Sequence, residues 1–338
     1  METTKVDRNR WLDLIKWLSS FMVVFIHVKF KGEFAYIVTA LARFAVPLFF
    51  MISGFFTYKI NAEKIRNRML KLFLLYVIAS VIYHSWAILS SIKDFGINGL
   101  FLYIKRTFTL NNLVCFLLFN VPFSSSHLWF LLSVIYVYAI WWLVVRFGDK
   151  FVLLLSCFCL FFHFILGNLL PILRVDLSIF SINNKLVLIR NWLLMGLPFF
   201  GFGYLTNKNK EKLFNIKWWG LICLIVFGFL ETLIGYYFFG RFELYIGSTA
   251  IAFALIMVAL KLEGKPINKL LVTLSSTSTD IYIYHIIISN AGWFILKFLK
   301  MDWSWLLLIW PVLVCCASVA FSLIKNTLFL LIKKKASP

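Results

Sequence analysis

The chain has 338 residues, 62% of them hydrophobic, 19% aromatic and only 14% charged, a balance that excludes a soluble globular domain. A formal net charge of +20 would suit nucleic acid. The basic residues, however, stand in short clusters between long apolar runs, as cytoplasmic loops facing anionic lipid do, and no nucleic-acid partner is expected.

A hydrocarbon core needs about 20 helical residues to cross it. Ten windows meet that length: 11–29, 36–57, 69–90, 127–147, 151–170, 188–205, 218–239, 244–261, 271–297 and 304–331. The expected fold is an all-α integral membrane protein, a polytopic bundle of about ten transmembrane helices. Residues 1–338 read as a single transmembrane domain with no soluble appendage, and the apolar run at the start is too long for a cleavable signal. Counting Lys and Arg on alternate sides puts 22 of the 34 on one side, which makes both termini cytoplasmic. The connection 91–126, rich in aromatics around Lys105, Arg106 and Pro122, is expected to be interfacial or re-entrant. The six cysteines lie in apolar surroundings without zinc spacing and read as packing residues, and no metal site is expected.

The first window carries Arg10, Asp13 and Lys16 at its start and His27 near its end. Lys16 and His27 are eleven residues apart, roughly three helical turns or ~16 Å of rise, so both fall on nearly one face. Arg10 alone would be a topology anchor. An imidazole that deep is a functional candidate, because desolvation is costly without a partner or water. In the second window Arg43 precedes Pro47, Ser53 and Gly54, a pattern suited to close helix approach. Arg66, Arg68 and Lys71 follow on the inner side, either as topology determinants or as a phosphate clamp.

Further along, His127 and Trp129 open the fourth window at the outer rim, while His84 and His163 read as packing residues. Glu231 is a carboxylate in mid-helix. It is either a structural ion pair or part of the chemistry, with Arg43 and His27 its nearest partners by depth. The polar run Ser275 to Asp280 leads directly into Tyr282 and His285, and is expected to cap or break a helix. His285 is expected to face inward only if Tyr282 does not.

In this order, Arg10, Asp13, Lys16 and His27, then Arg43, Pro47, Ser53 and Gly54, Arg66, Arg68 and Lys71, His127 to Phe130, Pro198 to Gly201, and Tyr282 with His285, the chain resembles the membrane-bound acyltransferase type 3 family. It is most similar to compact bacterial members that acetylate surface carbohydrates such as the enterobacterial common antigen. The resemblance covers almost the whole chain. It implies a multi-pass enzyme of the bacterial inner membrane that takes an acyl group, usually acetyl, from cytoplasmic acetyl-CoA and places it on an outward-facing hydroxyl of a glycan or lipid-linked carbohydrate. His27 matches the family's essential histidine. Lys16 stands where most members have arginine, and Arg68 with Lys71 matches a basic pair, again with Lys replacing Arg at the second position; Lys keeps the charge without the bidentate geometry.

The residues fit that chemistry in their own right, since acyl transfer needs a base, an oxyanion donor and a cationic cradle for nucleotide phosphates. His27 is the candidate base or acyl-imidazole former, with Glu231 and Arg43 as catalytic partners. Arg10, Asp13, Lys16, Arg66, Arg68 and Lys71 are the acyl-CoA candidates. Ser53, His127, Trp129, Tyr282 and His285 are candidates for an acceptor or structural site. A competing reading is a transporter or flippase of lipid-linked carbohydrate with a His27 and Glu231 proton relay, although no internal repeat halves are visible. A non-catalytic sensor has no positive feature beyond the fold.

Overall fold

The computed structural model describes residues 9–175, 185–299 and 305–336, and is helical with no strand among them. Lys5 and Arg8, counted above on the inner side, lie outside the described residues, as do the extreme termini. Among the described residues seven helices are long and apolar enough to cross a membrane: Phe34–Phe55, Ala62–Phe95, Ser126–Arg146, Asp149–Ile172, Trp218–Phe239, Ser278–Phe298 and Leu306–Lys333. Their faces explain why they need lipid. In Ala62–Phe95 only 17% of the apolar window is buried, and Leu70, Phe73, Leu74, Val77, Ile78 and Val81 form an exposed stripe that water would not tolerate.

The other three windows are helical but shorter or interrupted. Arg10–His27 has 18 residues and three charges in its first two turns. Ile246–Lys261 has 16 residues. The window 188–205 breaks at Asn191, whose extended backbone and side-chain oxygen start a new helix by accepting from the amides of Leu193 and Leu194. The window 271–297 also divides, into Lys269–Ser275 and Ser278–Phe298. There the Ser276 and Thr277 hydroxyls donate to the carbonyls of Thr273 and Leu274, giving the backbone an alternative to continuing the helix. Between 95 and 126 the chain forms two short helices, Asn98–Thr107 and Leu110–Phe119, instead of a free loop.

The chain forms two compact units. One comprises Met1–Leu48, Leu213–Arg241 and Tyr245–Pro338; the other Phe49–Lys212 and Phe242–Leu244. In the second unit Gly54 and Gly203 are notches for backbone. A Cβ on Gly54 would lie 1.8 Å from the Phe200 carbonyl oxygen, and one on Gly203 1.9 Å from that of Met51. Only glycine allows this crossing. Tyr138 and Trp141 pack on the buried Phe200 ring there, and Phe50 packs on Trp129 and Phe130. His163 is fully buried in this unit.

Candidate active site

The first unit is built on Arg10–His27. Asn9 caps its start, accepting from the amides of Trp11 and Leu12 at 3.0 Å each, and Asp13 complements the positive end of the helix. Leu14, Trp17, Val24 and Val28 recur three, seven and four residues apart and bury one face against Ile281, Val314 and Cys315. Two indoles fix the register: the Trp17 N–H donates to the Thr277 hydroxyl at 3.0 Å, and the Trp11 N–H to the Lys265 carbonyl at 3.2 Å. Asp280 accepts from Ser322 at 2.5 Å and pairs with Lys325, tying the last helix to Ser278–Phe298.

This packing delivers His27, the final residue of its helix, to within 5.4 Å of His285, ring centroid to ring centroid, at a 42° tilt. His27 is half-buried and His285 fully buried. The His285 Nδ1 lies 3.0 and 2.9 Å from the carbonyls of Ile281 and Tyr282. A carbonyl can only accept, so Nδ1 is assigned the proton and a neutral His285 carries its lone pair on Nε2. Tyr282 and His285 are both buried, at 8% and 0% exposure. The expected opposition between them fails because residues three apart on a helix share a face. Beside His27 is an open cavity of about 440 Å³ whose walls include Lys29, Lys31, Ser289, Asn290, Trp293 and Trp310.

The remaining candidates of this unit surround the same helix. Arg10 is exposed, while Asp13 and Lys16 are half-buried. Arg43 sits in the turn Ala42–Phe44, which packs on Arg10–His27. Glu231 accepts from the Gly247 amide at 2.6 Å, at the start of Ile246–Lys261. A carboxylate there satisfies an amide that the helix leaves without a partner and meets the positive end of the dipole. Neither Arg43 nor Glu231 lines the cavity beside His27. Among the described residues no cluster of three His, Cys, Asp or Glu could hold a metal ion.

Six candidates belong to the second unit. Ser53 donates back to the Phe49 carbonyl at 2.8 Å, and Trp129 packs against Phe50. His127 is buried, its Nδ1 2.8 Å from the Ser125 hydroxyl and its ring against Tyr83. Arg68 donates to the Phe56 carbonyl at 2.5 Å, while Arg66 and Lys71 are exposed near the start of Ala62–Phe95. Sequence reasoning left out Lys29, Lys31, Asn290, Trp293 and Trp310. Their one linear signal was tryptophan near the ends of apolar windows, which ordinarily marks the interface with lipid headgroups.

Helices of this length and exposure, carrying a histidine pair beside an open cavity, define a multi-pass membrane protein with a site suited to proton transfer. Residues 9–327 match the acyltransferase 3 family model, described as an acyltransferase domain. The chain belongs to that family and is a membrane acyltransferase. No curated protein and no solved structure was found to match it.

Proposed function

We propose that the protein transfers an acyl group, in the first instance acetyl, from cytoplasmic acyl-CoA to a hydroxyl of a cell-surface or lipid-linked carbohydrate on the outer side of a bacterial inner membrane. The observation carrying this reading is a half-buried His27 that borders a cavity of about 440 Å³ and packs on a second, buried imidazole. His27 accepts the proton of the acceptor hydroxyl as that oxygen attacks the thioester carbonyl carbon. The C–S bond then breaks, and the CoA thiolate takes the proton from the imidazolium, leaving an O-acyl sugar and free CoA thiol. Arg43 is proposed to stabilise the developing oxyanion from the turn Ala42–Phe44 packed on the same helix, outside the cavity wall.

Lys16, roughly three turns from His27 on the same helix, is assigned to the donor phosphates, with Arg10 and Asp13 beside it. Arg66, Arg68 and Lys71 give the second unit a basic cluster of its own, suited to phosphate. The excess of Lys and Arg on one side orients the Lys16 end of the helix inward and the His27 end outward. Glu231 is assigned a structural role at the start of Ile246–Lys261, on the strength of its bond to Gly247. Mass spectrometry of surface glycans from cells with and without the gene tests the proposal. The expected result is one acetyl fewer per modified sugar in its absence, and identical glycans would overturn it.

A further inference from the structure

The walls of the cavity beside His27 point to the chemistry of its occupant. Two tryptophans stand together, Trp293 and Trp310, with ring centroids 5.1 Å apart and planes 48° from each other. Trp310 is locked in place twice. Its indole N–H donates to the Ser289 hydroxyl at 3.1 Å, and its ring lies against Gly292, where an added Cβ would meet it at 2.6 Å. Trp293 remains 43% exposed. Such a pair presents apolar faces bordered by polar atoms, as a sugar ring with one C–H face and a rim of hydroxyls requires.

The rest of the wall supplies hydrogen bonds and charge. Asn290 is exposed and offers both a donor and an acceptor. The Ser289 hydroxyl accepts from Trp310 and can donate its own hydrogen. Pro311 has no amide N–H, so the carbonyl of Leu307, also in the wall, receives no helix bond from it. Lys29 and Lys31, both exposed, add two positive charges beside His27, and among the described residues no carboxylate lines the cavity.

We propose that this cavity is the acceptor subsite and that it selects an anionic sugar, whose ring lies on Trp293 and Trp310, whose hydroxyls meet Asn290 and Ser289, and whose negative group pairs with Lys29 and Lys31. The assignment as acceptor subsite rests on the acyl-transfer reading; the preference for an anionic sugar does not. A sugar carboxylate and a sugar phosphate share the required chemistry, and two arms of the test separate them.

The test measures binding of methyl glucuronide, glucose 1-phosphate and neutral methyl glucoside to the full chain in nanodiscs, by ligand-observed NMR titration. At low salt at least one anionic sugar should bind roughly 3- to 10-fold more tightly than the neutral one. The stronger of the two identifies the negative group. That preference should vanish in the double variant Lys29→Gln, Lys31→Gln and shrink in the wild type at high salt. Trp293→Ala should weaken all three by roughly 5- to 10-fold. Equal binding of charged and neutral sugars by the wild type, a preference that survives loss of both lysines, or unchanged affinity in Trp293→Ala overturns the proposal. Should the sugars bind as expected while acetyl-CoA acetylates none of them, the assignment as acceptor subsite fails and the anionic-sugar site stands.

Discussion

Replacing His285 separates a positioning role from simple core packing. The ring is fully buried and its Nδ1–H is held by the Ile281 and Tyr282 carbonyls, which lie within its own helix. The stability at stake is about 0.5–1.5 kcal/mol, the net worth of one hydrogen bond, provided the volume is kept. Catalysis has more to lose. With ring centroids 5.4 Å apart, the buried His285 ring packs directly on His27 and fixes where that ring sits, and misplacing a catalytic base by about 1 Å can cost 10²-fold in rate. His285→Phe should therefore lower kcat by roughly 10- to 100-fold while the midpoint of thermal unfolding falls by only a few degrees.

Two amides then identify the nitrogen concerned. Asn presents its amide nitrogen, a donor like Nδ1–H, near the Nδ1 position, and Gln can place its carbonyl oxygen, an acceptor like the Nε2 lone pair, near Nε2. If Nε2 acts on His27, His285→Gln recovers more activity than His285→Asn, and its pH–rate profile regains the wild-type shape. The assay is release of CoA thiol with acetyl-CoA and acceptor, alongside thermal unfolding in the same detergent. Wild-type kcat in His285→Phe, or Asn rescuing as well as Gln, refutes the reasoning.

Three further changes probe the two units. Glu231→Gln keeps an acceptor for the Gly247 amide and loses only the charge, so it should cost about 1 kcal/mol, the difference between a charge-assisted and a neutral bond, seen as a lower unfolding midpoint. Transfer activity should persist below that midpoint, and its abolition in folded protein would return Glu231 to the chemistry. Gly54→Ala sets a Cβ against the Phe200 carbonyl and should destabilise the second unit by at least ~1–3 kcal/mol through overpacking; an unchanged midpoint would contradict the close crossing. Lys16→Ala should raise the KM for acetyl-CoA by roughly 10- to 160-fold, the range for one lost charge-assisted contact, and an unchanged donor KM would remove Lys16 from donor binding.

Much of this architecture was legible in the chain because apolar runs of about 20 residues have few alternatives in lipid. All ten windows contain helix, and the polar run at Ser275 does break one. Window length missed the interruption at Asn191, where a single cap outweighs the surrounding leucines and valine. His27 stood out because a buried imidazole is costly wherever it occurs. Its neighbour His285, more than 250 positions away, could not be paired with it, since helix packing is decided by stripes such as Leu14 and Trp17 meeting Ile281 and not by local pattern. The same distance hid the cavity, whose walls join residues 27–31 to Ser289, Asn290, Trp293, Leu307 and Trp310. Glu231 stood open between a structural ion pair and the chemistry because burial of a carboxylate is expensive in either role; its bond to the Gly247 amide, made across a helical hairpin, is invisible in sequence.

The most direct measurement is transfer of labelled acetyl from acetyl-CoA to glycan by membranes containing wild type or His27→Ala at equal folded amounts. Loss of a positioned base predicts a rate lower by roughly 10²- to 10⁴-fold. Transfer at the wild-type rate would contradict the account at its centre.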